Sequence, residues 1–225
     1  QKKLWLKKKF VAGCHYLITL DHLTEAQVQT ALDNPKQTTQ WQALFSVNTS
    51  GLNAAELCKN YPHLVVDTSL FEPKFQTDVL REIEHLDDKT NGLLIHSDNF
   101  QALNLLQERY KEQVKCIYID PPYNTDGDGF IYKDGYKNSS WLSLIEDRIT
   151  LQKNLMSKDG TLAISIDDNE VHELDLCVSN IMNNQKIGEL SVTRAEGGGL
   201  AKRIVKGHDY LMLYAKDLDI CPPLL

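Results

Sequence analysis

The chain has 225 residues, 42% of them hydrophobic, and a formal net charge of -7. That length holds one large domain, or a domain with a small appendage, and the apolar fraction supports a core. The charge argues against an unspecific, strongly basic nucleic-acid binder, and no apolar run approaches a membrane span or reads as a signal peptide.

Five cysteines, Cys14, Cys58, Cys116, Cys177 and Cys221, are scattered with no Cys-x-x-Cys pair. They read as reduced structural thiols of a cytoplasmic protein, with Cys116 and Cys177 in elements expected to be buried. The seven histidines lack zinc-ligand spacing, so no metal site is expected. Basic residues gather in two places: Lys2, Lys3, Lys7, Lys8 and Lys9, and then Arg194, Lys202, Arg203, Lys206 and His208. Either group suits phosphates, and a solvated surface is the bland alternative.

Residues 1–72 read as a mostly helical appendage. Thr24-Glu25-Ala26-Gln27 is a capping box opening a helix through Leu32. Asn34-Pro35 breaks it, a second helix runs through Trp41 and Phe45, and a third is expected from Ala54 to Lys59. Residues 73–225 then read as a second unit, beginning with a helix from Pro73 to His85 that aligns Phe75, Val79, Leu80 and Ile83. A polar turn at Asp87–Gly92 precedes an alternating β/α pattern. It runs as a strand at Leu93–His96, Asp98-Asn99 as a helix cap, a helix carrying Phe100, Leu103, Leu106 and Tyr110, and a strand through Cys116–Ile119. After a turn-rich aromatic loop, Ser140 is expected to cap a long helix with Trp141, Leu144, Ile145, Ile149 and Leu155, which Lys158-Asp159-Gly160 ends. A strand at Thr161–Ile166, a helix with Val171, Leu174, Val178 and Ile181, and strands at Ile187–Thr193 and Asp209–Ala215 complete the pattern.

The most informative stretch is Ile119-Asp120-Pro121-Pro122-Tyr123. Two prolines cannot donate to a sheet ladder, so the strand stops there. The stop leaves a carboxylate, a rigid turn and an aromatic ring at the carboxyl end of a strand, where open α/β sheets bind ligands. This suits a planar group bearing an amine: carboxylate and carbonyl accept its hydrogens, and the ring stacks on its plane. The bland alternative is a proline turn with a surface tyrosine. Asp120 is expected at the end of a central strand, beside the strand ends at His96 and Ile166.

Five segments together carry a family resemblance. They are Leu94–Leu103, Cys116–Thr125, Ser139–Ser143 with Glu146–Arg148, Asp159-Gly160 with Ile164–Glu170, and Gly197–Ala201 with His208-Asp209-Tyr210 and Tyr214-Ala215-Lys216. The chain resembles β-class amino DNA methyltransferases of the kind found as modification subunits of type III restriction-modification systems. The resemblance covers about 90–220 well. It implies an incomplete Rossmann-like methyltransferase sheet of α/β class, and transfer of a methyl group from S-adenosylmethionine to an exocyclic amine of a flipped base. Asp120 favours adenine N6 over cytosine N4. Asp120, Pro121, Pro122 and Tyr123 are then the catalytic residues, and Asp98, Asp120 and Asp167 the cofactor contacts. Asp98, Asp167 and Asp168 have the plainer alternative of capping helices. For DNA, Trp141, Lys202, Arg203 and Lys206 are the candidates, though an aromatic on a helix's apolar face is usually core. Implied partners are double-stranded DNA, a restriction subunit and a second modification subunit.

One departure from the family is an absence: no Phe-x-Gly-x-Gly cofactor loop occurs in the 225 residues. Gly197-Gly198-Gly199 is neither that loop nor a Walker loop, and reads as a connection feeding basic residues to DNA. The chain is therefore expected to be the amino-terminal part of a larger enzyme, with weak cofactor and DNA binding on its own. The rival readings are an N4-cytosine, RNA or protein-glutamine methyltransferase, the last opposed by Asp120 where Asn is preferred, and a non-catalytic DNA-associated or assembly module.

Overall fold

The computed structural model describes residues 11, 13–124, 138–193 and 207–223, with backbone only at 138. Among the described residues two compact units emerge, one ending at Leu94 and one beginning at Ile95. The expected boundary at 72/73 thus falls inside the first unit. The reason is local packing: Phe75 stacks on Phe71 with ring centroids 4.2 Å apart, and Val79 is buried, so the helix from Pro73 belongs with what precedes it.

In the first unit, strand β1 (Leu17–Thr19) pairs antiparallel with β2 (Val65–Asp67). The expectation of a mostly helical segment missed both, since three-residue strands carry little periodicity. Helices α1 (Glu25–Leu32), α2 (Pro35–Phe45) and α3 (Ala54–Asn60) form where helices were expected. Thr24 and Gln27 form the reciprocal box, Asn34 accepts from the Lys36 and Gln37 amides, and Asn53 with Glu56 forms a second box. Trp41 is fully buried, and its indole N–H donates to the Val65 carbonyl at 2.6 Å. Buried Gln37 accepts from the Asp67 amide at 2.9 Å. The unit closes with α4 (Pro73–Glu82) and a short α5 (Leu86–Lys89), the latter within the expected polar turn. The strand expected at Leu93–His96 is not formed. Leu94 is 94% exposed, and no described strand pairs with the segment, so nothing fixes an extended ladder there.

The second unit starts with α6 (Asn99–Tyr110), capped by Asp98, and proceeds to β3 (Val114–Ile119). Next come α7 (Asn138–Leu155), β4 (Met156–Ile166), α8 (Val171–Ile181), β5 (Lys186–Thr193) and β6 (His208–Ala215). The strand order is β3-β4-β6-β5; β3 and β4 are parallel, and β6 runs antiparallel to both its neighbours. This is the mixed, open sheet of an incomplete Rossmann-like α/β fold. Alternation along β4 sends Leu162, Ile164 and Ile166 into a core with Trp141, Ile145 and Ile149 of α7, Leu174 and Val178 of α8, and Met212 and Tyr214 of β6.

Two expectations about β3 are corrected. It is an edge strand of the described sheet rather than a central one, and its Cys116 is exposed rather than buried. The physical reason is shared: Ile117 and Ile119 face the core while Cys116 and Tyr118 take the opposite face, which no described helix covers. Nor does Lys158-Asp159-Gly160 simply end the helix. Strand β4 begins at Met156 and passes through these residues as an irregularity, because the register jumps from Val114↔Met156 to Cys116↔Thr161. Gly160 is needed there: a Cβ on it would lie 2.9 Å from the Val114 carbonyl oxygen and 3.0 Å from that of Ser157.

At the far edge, Asp175 accepts from the Tyr214 hydroxyl at 2.6 Å and from Ser179 at 3.2 Å, and Lys186 sits 2.9 Å from its carboxylate. Burial, the largest single influence, pushes the Asp175 carboxyl up, but the hydrogen bonds from Tyr214 and Lys186 outweigh it and hold the group below its usual range. Lys186 is shifted the other way: burial depresses it, and Asp175 with Glu189 raises it overall. A depressed Asp adds stability above its unfolded pKa and loses it as pH falls through the folded value. A raised Lys adds stability below its unfolded pKa and loses it as pH rises through its own folded value. The network's contribution should therefore fill a plateau between about pH 4 and pH 10. Urea unfolding of wild type and Asp175→Asn across pH checks this: their stability difference should shrink below about pH 4.

Candidate active site

The site is assembled at the rim where β3 and β4 end. Register pairs Ile119 with Ile164, which leaves Asp120 just past the last paired residue of the parallel ladder. The proline pair ends the strand as its chemistry requires, and the chain continues through Tyr123 to Asn124, whose φ of 57° lies in the left-handed region. Asparagine tolerates that region better than most residues.

Tyr123 packs its ring against the core of the second unit, near enough to Asp120 for that carboxylate to act on its hydroxyl. Burial, then the nearby Asp120 carboxylate, pushes the phenol well above its usual range, with Asp209 and Tyr118 adding to the shift. Tyr123 is therefore a neutral donor at any working pH. Two carboxylates, Asp120 and Asp209, thus act on one ring at the strand-end rim, which β6 also reaches through His208 and Tyr210. Beside them Asp168 accepts from the Tyr210 hydroxyl at 2.9 Å, and the Tyr118 hydroxyl lies 2.9 Å from the Ser165 oxygen.

The other candidates fall out as follows. Asp98 caps α6, its Oδ1 accepting from the Phe100 amide at 3.1 Å and the Gln101 amide at 3.4 Å. Asp167, 9% exposed, accepts from the backbone and side-chain nitrogens of Asn169 at 2.9 and 2.8 Å. That turn shapes the exit from β4. Trp141 is corrected as a DNA contact: it is fully buried, and its indole N–H donates to the Pro122 carbonyl at 2.8 Å. An apolar helix face drew the ring into the core, and only the indole N–H reaches the site. Lys202, Arg203 and Lys206, the Gly-rich loop and the aromatic loop after Asn124 lie outside the described residues.

One functional candidate went unnoticed in the sequence as a side chain with its own contact. Glu170 is 2% exposed, and its Oε1 accepts from the Asn124 side-chain amide at 2.5 Å. The signal available was only its place in the acidic run that ends β4. Among the described residues no group of three or more His, Cys, Asp or Glu is arranged to hold a metal ion, and no helix is long and apolar enough to cross a membrane.

Chemically, the rim offers an exposed carboxylate, the carbonyls of a rigid turn and a held ring. Such a set accepts hydrogens from a planar amine without itself forming covalent bonds.

Comparison with known proteins agrees with that chemistry. Residues 114–220 match the family described as DNA methylase. The chain is 31% identical over 206 residues to the Mod subunit of the type III restriction-modification enzyme EcoP15I of Escherichia coli, covering 78% of this chain and 31% of that protein. It is 29% identical over 209 residues to the EcoPI Mod subunit of Escherichia phage P1, covering 79% and 31%. With the type II methyltransferase M.KpnI of Klebsiella pneumoniae it shares 32% identity over 154 residues, covering 64% and 36%. The chain thus spans about a third of the length of these relatives. The Asp-Pro-Pro-Tyr rim lies inside the segment that matches the DNA methylase family, and the chain is similar to type III modification subunits.

Proposed function

We propose that this chain carries the catalytic half of a site-specific DNA methyltransferase that methylates adenine N6 in a restriction-modification system. The observation that carries the reading is Asp120, exposed at the strand-end rim within the matched domain, with the half-buried Tyr123 beside it.

An exocyclic amine is a poor nucleophile because its lone pair is conjugated into the ring. Hydrogen bonds from the amine to Asp120 and to the Pro121 carbonyl favour a pyramidal nitrogen whose lone pair is free to attack. S-adenosylmethionine, when bound, supplies the methyl group on a sulfonium. Its positive charge suits the carboxylates of this rim, and Asp98, Asp120 and Asp167 are the proposed contacts. A Phe-x-Gly-x-Gly turn for its amino-acid end is not in this sequence, so no further cofactor geometry is assigned. Tyr123 stacks on the base after it leaves the duplex, and Lys202, Arg203 and Lys206 are proposed to meet phosphates. The likeness to Mod subunits of type III restriction-modification enzymes supports DNA and a restriction subunit as partners; duplex DNA, a second modification subunit and a cytoplasmic setting complete the proposal.

Labelled methyl transfer to duplex DNA by the longest natural polypeptide containing this chain tests the reading. Label should appear on adenine N6. Tyr123→Ala should lower the rate roughly five- to 150-fold, from about 1 to 3 kcal/mol of lost stacking. Tyr123→Phe should stay close to wild type, because stacking needs only the ring. Label on cytosine, or none on DNA, would overturn the assignment.

A further inference from the structure

We propose that Trp141 and Glu170 are positioning residues that clamp the catalytic turn on both sides of Tyr123. The bond from Trp141 fixes the carbonyl of Pro122, and so the peptide plane that leads into Tyr123. The bond to Glu170 fixes the side chain of Asn124, the residue that leaves Tyr123 in a left-handed conformation. The two grips come from different elements. Trp141 stands near the start of α7, and Glu170 sits at the N-cap of α8, directly after the turn that Asp167 and Asn169 make at the end of β4.

Both anchors are built into the core and not onto the surface. Trp141 is 0% exposed and Glu170 is 2% exposed. Burying a carboxylate is costly unless it is hydrogen-bonded, and Glu170 keeps its second oxygen, Oε2, buried with no hydrogen-bond partner. A purely structural site would be served as well by an apolar residue. The retained carboxylate makes sense as a holder of Asn124. The indole is similar: a phenyl ring would fill the same core, but it has no N–H for Pro122.

The consequence is that the dipeptide carrying the ring cannot swing while Asp120 and the Pro121 carbonyl await an amine. Positioning of that kind acts on the chemical step, since a reacting geometry displaced by about 1 Å costs roughly a hundredfold. It leaves affinity for DNA and cofactor largely alone.

The test uses the longest natural polypeptide containing this chain and two readouts. Trp141→Phe and Glu170→Ala should each lower kcat about tenfold or more, with KM for DNA within about twofold of wild type. Glu170→Gln, which keeps an acceptor for Asn124, should restore most of the rate. In hydrogen exchange followed by mass spectrometry, the peptide spanning 118–124 should exchange faster in Trp141→Phe and Glu170→Ala, while peptides of β4 and α8 keep their wild-type rates. Unchanged exchange at 118–124 would overturn the clamp, as would loosening spread evenly over the core, or a loss confined to KM. The kinetic arm rests on the methyl-transfer reading, and the exchange arm does not. If wild type transfers no methyl to DNA, that reading fails, and exchange alone decides the clamp.

Discussion

Asp120→Ala is expected to lower kcat/KM for DNA methylation at least about a hundredfold while leaving urea unfolding nearly unchanged. Removing one preorganised group from a reacting centre typically costs a hundred- to a thousandfold, and Asp120 is the only carboxylate in the Asp-Pro-Pro-Tyr turn itself. Its contribution to the fold is small. It is exposed and lies beyond the last paired residue of an edge strand. Surface changes of this kind usually move stability by no more than about 0.5 kcal/mol. The measurement is methyl transfer from labelled cofactor, with urea unfolding of the same preparation. Undiminished transfer would remove Asp120 from the mechanism. A matching collapse in stability would mean that the residue serves the fold instead.

The largest stability effect is expected for Ile164→Ala. Ile164 is fully buried in β4, paired with Ile119 of the catalytic strand on one side and Met212 of β6 on the other. Truncating such a residue removes burial and leaves a cavity that stiff neighbours fill poorly, for about 2 to 5 kcal/mol. Urea unfolding should show the midpoint falling with the slope unchanged. Leu190→Ala is the control. Leu190 is 54% exposed on β5, and its loss should cost under about 0.5 kcal/mol. Equal effects at the two positions would contradict the packing described for this sheet. The Ile164 change should also blunt catalysis, because the same ladder carries Ile119 to the rim.

How far the site was legible differs residue by residue. Asp120 through Tyr123 were readable because proline has no amide proton to give a ladder, so the chemistry of the turn is local. Thr24 and Asp98 were readable as caps for the same reason: each bonds to amides within three residues of itself. The strands β4, β5 and β6 and the helix α8 also follow from local periodicity. Leu93–His96 shows the limit. Its composition suits a strand, but a strand exists only when another supplies hydrogen bonds, and no described strand does.

The amino-acid sequence by itself determined the alternating α/β class of the second unit, the strand stop at Pro121 and the carboxylate-and-ring pair that follows it, because each rests on interactions between near neighbours in the chain. Tertiary structure alone decided that β6 lies between β4 and β5, that β3 stands at an edge with Cys116 in solvent, and that the unit boundary falls at Leu94 rather than at residue 72. It also decided that Trp141 reaches Pro122 and that Glu170 reaches Asn124, across 19 and 46 residues of chain. Those bonds join side chains on separate elements, so their existence depends on how α7, β4 and α8 pack around one core, which no local pattern encodes.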